Sequence, residues 1–286
     1  MIEAELRPRG PYSLRLSTRL ASDATRVVRD GSLTGAVEVD GRLECAVARQ
    51  RPDGIVCIRA ESEGAVERMR FVLGIDDDHS EFLARFAADP LIGPATRRLR
   101  GLRPPRVLTV AHALLRAVCG QLITARRARE IERRVVREAT PLLEGTRLHA
   151  PPSATALCRF SPAELRSLGL GIRRGTALVR LCRSLDLERL RGLPTEAAAQ
   201  RLERERGLGP WSVGVICLQG LGRTERGLVG DLGLVKLLSA MRGRWVEGWE
   251  TAELLEPYGE WAGLASVYLL AGSGQGLVPI ERRLAA

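Results

Sequence analysis

Asp231 and the turn Gly207-Leu208-Gly209 are the residues of this chain whose types and spacing could do chemistry. The two glycines flank one apolar residue, and Pro210-Trp211-Ser212 follow as the start of a helix. Without Cβ atoms at those positions, backbone N–H groups at the helix start can converge on a phosphate oxygen. The same turn serves equally as a plain connection between two helices. Asp231 opens a second apolar run, Leu232, Leu234, Val235, Leu237 and Leu238, which is the place of an N-cap. A helix start favours negative charge. A carboxylate at the mouth of a cleft is what an oxocarbenium-like transition state requires. Capping alone is the plainer role, and the two are compatible.

The rest of the composition narrows the partners. Lys+Arg 44 against Asp+Glu 34 gives a net charge of +10 over 286 residues, which favours a polyanion, nucleic acid or an anionic membrane surface. Nearly all of the basic residues are arginine. Lys236 is the only lysine, so a Schiff-base mechanism has a single candidate nucleophile. Cys45, Cys57, Cys119, Cys158, Cys182 and Cys217 stand singly in mostly apolar surroundings, and His79, His112 and His149 lie far apart. That spacing gives a metal cluster no local support and reads as buried free thiols in a reducing compartment. The N-terminus lacks a basic-then-apolar leader, and no apolar stretch approaches the ~20 residues that span a bilayer. A soluble, cytoplasmic protein is expected, with no membrane contact and no cofactor.

The elements that must position Asp231 and the turn fall into two parts. Residues 12–60 predict strands with one interposed helix: an alternating strand at Tyr12–Leu16, a capped helix at Ser22–Val28, then strands at Gly35–Val39, Leu43–Arg49 and Ile55–Arg59. Asp40-Gly41 and Pro52-Asp53-Gly54 supply the turns. Ser62 caps a helix that runs to Leu73 and stops at Gly74, with Val66, Met69, Phe71, Val72 and Leu73 covering one face of the sheet. This α+β unit ends near Asp76-Asp77-Asp78, giving a first domain over 1–78. Residues 79–286 read as a second, all-helical domain. Its helices lie near 80–88, 110–139 with a break at Gly120-Gln121, 161–168, 174–185, 195–205, 212–219, 231–241 and 261–271.

At this point the chain resembles the helix-hairpin-helix superfamily of DNA base-excision glycosylases, and within it 3-methyladenine-DNA glycosylase II. The resemblance is carried by Gly207-Leu208-Gly209-Pro210-Trp211-Ser212 and Gly230-Asp231-Leu232-Gly233-Leu234. Pro90-Leu91-Ile92-Gly93 with Gly101-Leu102-Arg103-Pro104, Val118-Cys119-Gly120-Gln121-Leu122-Ile123 and Glu256-Pro257-Tyr258-Gly259-Glu260-Trp261 extend it over roughly residues 10–275. The resemblance implies that Asp231 is the catalytic aspartate and that Gly207, Leu208 and Gly209 anchor DNA. It also implies a candidate monovalent-cation site at hairpin carbonyls 207–209. Trp211 then stands where lyase-active relatives carry a lysine, which implies a monofunctional enzyme. Leu122, with Gln121 beside it, matches the wedge that fills the gap left by a flipped nucleotide. On sequence alone Leu122 reads as well as a core leucine at a bend, and Trp211 as well as plain core.

The chain also departs from that pattern. It is only 4% aromatic, and Val215, Leu232 and Leu270-Ala271 stand where the family carries aromatics around the base. Trp211, Val215, Leu232 and Leu270 therefore predict a more aliphatic base pocket. No cysteine follows Cys217, so no iron–sulfur cluster is expected. The runs Arg97-Arg98-Leu99-Arg100, Arg126-Arg127-Ala128-Arg129 and Arg133-Arg134 track phosphates or simply form solvated, ion-paired helix faces. The reading is a monomeric, nucleoid-associated monofunctional DNA glycosylase that removes alkylated purines from damaged double-stranded DNA. The competing readings are a bifunctional or oxidised-purine glycosylase, and a non-catalytic helix-hairpin-helix DNA-binding module.

Overall fold

Short runs of alternating residues, joined by turns made for hairpins, turn the first part of the chain into a sheet. The computed structural model describes residues 1–279, so 280–286, the end of the expected helical region, lie outside them. Strands β1 (Ile2–Leu6), β2 (Arg26–Arg29), β3 (Ser32–Val39), β4 (Arg42–Gln50) and β5 (Val56–Ala60) form one antiparallel sheet in the order β1-β5-β4-β3-β2. Asp30-Gly31 and Asp40-Gly41 make the β2–β3 and β3–β4 turns, with positive φ at both residues of each pair, the geometry of tight two-residue hairpins.

Two expectations for this region fail. Tyr12–Leu16 is not a strand: Ser13 accepts a hydrogen bond from Leu16 N and caps a short helix, α1 (Leu14–Thr18). Nor is Ser22–Val28 a helix. The Asp23 carboxylate accepts from Thr25 N and Arg26 N, which closes a local turn instead, and the chain then enters β2. The overlooked strand β1 has the period-two sequence Ile-Glu-Ala-Glu-Leu and pairs with β5.

Helix α2 (Glu63–Leu73) begins at Ser62, whose hydroxyl accepts from Ala65 N, and ends at Gly74 in the left-handed conformation, as the sequence predicts. Its Val66, Met69, Val72 and Leu73 pack with Leu33, Val37, Ala46, Ala48 and Ile58 of the sheet in one core.

From Ser80 onward the described chain is helical: α3 (Ser80–Arg85), α4 (Gly93–Arg98), α5 (Val110–Gly120), α6 (Ala125–Ala139), α7 (Ala154–Leu157), α8 (Pro162–Ser167), α9 (Ile172–Ser184), α10 (Thr195–Glu203), α11 (Pro210–Val215), α12 (Leu232–Arg242), α13 (Thr251–Leu255) and α14 (Ala262–Ser273). Helix α11 continues into a wide π-type segment, Ile216–Leu221. Helix α5 is central and buried over most of its length, and α6, α9, α11 and the π segment all touch it. Helices α4, α7 and α13 are short and were not legible in the pattern. Of the cysteines, Cys119, Cys182 and Cys217 are buried, whereas Cys45, Cys57 and Cys158 are only half-buried.

A buried ionic network joins the sheet to the helices. Arg116 Nη2 lies 2.8 Å from Asp23 Oδ2 and 2.7 Å from Glu132 Oε1. Its Nη1 donates to Gln219 Oε1 at 3.0 Å, and His112 Nε2 is 2.8 Å from Glu132 Oε1. Asp23, His112 and Glu132 thus meet despite their separation in sequence, and their ligand atoms lie within 4.8 Å of one another. Arg26 and Arg116 already occupy the carboxylates, so the cluster is an ion-pair hub. Burial opposes ionisation of Glu132, but Arg116 and the His112 hydrogen bond outweigh it and hold the carboxyl at about 2. Burial likewise opposes Asp23, and Arg26 and Arg116 hold it well below the usual range.

Breaking one partner of such a buried pair strands a charge, so Arg116→Ala is expected to cost about 3–5 kcal/mol of stability in urea unfolding. Arg126→Ala, at an exposed i,i+4 pair with Glu130, should leave the unfolding midpoint unchanged. Carboxylates depressed in the fold stabilise it above their unfolded pKa near ~4. Stability should therefore fall between about pH 4 and pH 2, and that acid loss should shrink in the Arg116 variant.

Candidate active site

Asp231 caps α12. Gly230 (φ 87) makes the left-handed turn into it, a conformation that L side chains rarely adopt, and Gly230 N is held by Thr251 Oγ1 at 2.8 Å. One carboxylate oxygen, Oδ1, accepts from Gly233 N at 2.8 Å, and the other, Oδ2, accepts from Trp211 Nε1 at 2.9 Å. Both oxygens are thereby fixed in direction, while the residue remains half-exposed. A Cβ at Gly233 would lie 2.4 Å from a Leu270 methyl carbon and 3.0 Å from Asp231 Oδ1. The glycine thus lets α14 close against the first turn of α12.

Trp211 sits at the start of α11, half-buried. Its ring lies against Gly120, where a Cβ would come within 2.5 Å of the indole. The end of α5 therefore has to be glycine for Trp211 to reach Asp231. Trp211 is not plain core: its N–H is spent on the carboxylate.

The hairpin is tied to the same place. Gly207 (φ 96) turns the chain, Leu208 is buried between the helices, and Gly209 is the N-cap of α11. Gln121 Nε2 donates to Gly207 O at 2.8 Å and to Ser212 Oγ at 3.1 Å. Arg174 Nη1 donates to Gln121 O at 2.9 Å. Gln121 thus faces the hairpin rather than solvent. Next to it, Leu122 is 103% exposed, with φ of 58. A leucine in the left-handed region costs on the order of 1–2 kcal/mol, and here that strain holds an apolar side chain wholly in water. The core reading of Leu122 is excluded.

The remaining sequence-predicted residues divide. Leu270 is half-buried against Gly233, and Leu232 is 48% exposed one residue beyond Asp231. Val215 is only 4% exposed, inside the helical core. Lys236 is exposed on α12, and neither carboxylate oxygen of Asp231 bonds to it. Gly207 O already accepts from Gln121, and Gly209 O from Val213 N. No step below needs a cation at the hairpin carbonyls. Of the arginine runs, Arg126 and Arg127 pair with Glu130, Arg133 donates to Ser22 O and Arg97 to Ala87 O. Sequence reasoning missed the supporting roles of Gly120, Gly233 and Arg174. A lone glycine ending an apolar helix, as at Gly120, was the available signal.

No family model matches the chain. It is 24% identical over 204 residues to a DNA-3-methyladenine glycosylase of Bacillus subtilis, covering 68% of this chain and 67% of that protein. It is 26% identical over 215 residues to a probable bifunctional transcriptional activator/DNA repair enzyme AlkA of Mycobacterium tuberculosis, covering 72% of this chain but only 43% of that longer protein. In sequence the chain is thus similar to DNA-3-methyladenine glycosylases, enzymes of the helix-hairpin-helix superfamily. Solved structures share its fold. A 3-methyladenine DNA-glycosylase from Archaeoglobus fulgidus matches with a TM-score of 0.82 over 100% of both chains at 19% identity. The Clostridium acetobutylicum 8-oxoguanine glycosylase/lyase, solved with dsDNA, matches with 0.77 over 97% of this chain and 99% of that one at 16% identity. Among the described residues, no helix is long and apolar enough to cross a membrane.

If the Trp211 N–H holds the carboxylate in its working direction, Trp211→Phe removes one hydrogen bond to a charged group. Single-turnover base release should then slow by about tenfold to a hundredfold, with DNA affinity within about twofold of wild type in a fluorescence-anisotropy titration.

Proposed function

We propose that this chain is a monofunctional DNA glycosylase that hydrolyses the N-glycosidic bond of alkylated purines of the 3-methyladenine type. The single observation that carries the reading is the half-exposed Asp231 carboxylate gripped by Trp211 Nε1 and Gly233 N. It stands beside a hairpin that Gln121 ties to the loop bearing the exposed Leu122.

The chemistry follows from those parts. Extrusion of a nucleotide costs a few kcal/mol of stacking and pairing. Leu122, held out in solvent, fills the gap left in the stack, and the hairpin at Gly207–Gly209 grips a phosphate of the same strand. Alkylation at a ring nitrogen makes the base cationic, so it departs without a strong general acid. As the glycosidic bond breaks, positive charge grows on the sugar, and the Asp231 carboxylate stabilises it until water adds. The position that a lyase fills with lysine holds Trp211, whose N–H serves the carboxylate, so no amine attacks the sugar. Gln121 acts as a positioning residue. The partner is damaged double-stranded DNA, the protein acts as a monomer, and it works in the cytoplasm at the nucleoid.

Wild-type protein should release free alkylated purine from methylated duplex. Asp231→Asn should lower that release by at least about a thousandfold while binding an abasic-site duplex within about threefold of wild type. Borohydride should trap no covalent adduct. Unchanged release by Asp231→Asn, or a trapped adduct, would overturn the mechanism.

A further inference from the structure

Two of the chain's four tryptophans stand in solvent on one loop: Trp245 is 63% exposed and Trp249 is 68% exposed. This loop, between α12 and α13, is not loose. The buried Glu250 carboxylate accepts from Arg242 Nη1 at 2.6 Å, Arg244 Nη1 at 3.0 Å and Glu247 N at 2.7 Å. Val246 is fully buried and its N–H donates to Ser239 Oγ at 3.0 Å. Large apolar groups held rigidly in water mark a contact surface.

The loop returns to the reaction centre. A Cβ on Gly248 would sit 3.3 Å from Gly230 Cα, and Thr251 Oγ1, which accepts from Gly230 N, donates to Gly248 O at 2.7 Å. Trp249 therefore follows the residue packed against the turn that delivers Asp231. Leu232 and, one turn further along α12, Lys236 are also exposed. Aromatic faces and exposed cations suit nucleotides, whose bases stack and whose phosphates are anionic. The surface is continuous through Gly230 with Asp231, and so with the DNA face proposed above. Leu232 and Leu270 beside Asp231 are aliphatic, so this loop brings aromatic surface to that edge of the site.

We propose that the Trp245–Trp249 loop is a preformed stacking platform for DNA at the lesion, with Trp249 contacting a nucleotide unstacked by extrusion and Lys236 an adjacent phosphate. The inference rests on the DNA-glycosylase reading, but its test is a binding measurement and needs no chemistry.

Trp249→Ala, Trp249→Phe and Lys236→Gln are compared with wild type on two duplexes, one intact and one carrying a tetrahydrofuran abasic-site analogue. Trp249→Ala should weaken binding to the abasic-site duplex by about tenfold or more and to the intact duplex by less than twofold, and Trp249→Phe should restore most of the loss. Lys236→Gln should weaken both and lower the steepness of the salt dependence. Thermal melting confirms that each variant folds, as expected for exposed side chains. Equal loss on both duplexes after Trp249→Ala, or no loss on either, overturns the platform. Release of alkylated purine, measured in parallel on wild type and Asp231→Asn, reports on the glycosylase reading separately.

Discussion

The geometry of Asp231 depends on one hydrogen bond, from the Trp211 indole N–H to Oδ2. A carboxylate at a helix start is ordinarily held by backbone donors alone, and its free oxygen turns with the solvent. Here the second oxygen is claimed from across a helix interface, so the group cannot swing without breaking a charge-assisted contact. That contact in turn requires Gly120 under the indole and Gly233 beside the carboxylate. Preorganisation of this kind is what gives a charged group its leverage on a developing cation, because nothing must reorient as the charge appears.

The larger architecture serves the same end. Helix α5 is the buried axis. Its terminal glycine carries Trp211, the next residue, Gln121, holds the hairpin, and the residue after that, Leu122, projects into solvent. The carboxylate, the hairpin and the exposed Leu122 are therefore all referenced to one rigid element. The Arg116 hub fixes α5 in its turn, binding it to α6, to the π segment and to the sheet through Asp23. Such a hub contributes little net stability compared with apolar packing, yet it tolerates no loss of a member. Its value is to set the register between sheet and helices.

Much of this was legible in the sequence where local chemistry decides structure. Ser62 and Gly74 bound α2, Asp40-Gly41 made its hairpin, and the break at Gly120-Gln121 fell between α5 and α6. Asp231 stood out because a cap and a charge stabiliser use the same residue type. What escaped was long-range. Segments as short as 12–16 and 22–28 carry too few residues for periodicity to separate strand from helix, and the side chains of Ser13 and Asp23 decided them through local backbone bonds. Single bonds of the Arg116 hub span up to 103 positions, and no spacing announces it. The inward turn of Gln121 and the outward turn of Leu122 likewise depend on the φ of one residue, which the sequence does not display.

The central claim is that Trp211 acts on the reaction through the carboxylate of Asp231. A double-mutant cycle on single-turnover base release measures this directly. The account predicts that Trp211→Phe slows release in the Asp231 enzyme and changes nothing further in the Asp231→Asn enzyme. The same slowing in both backgrounds would show that the indole acts independently, and would contradict it.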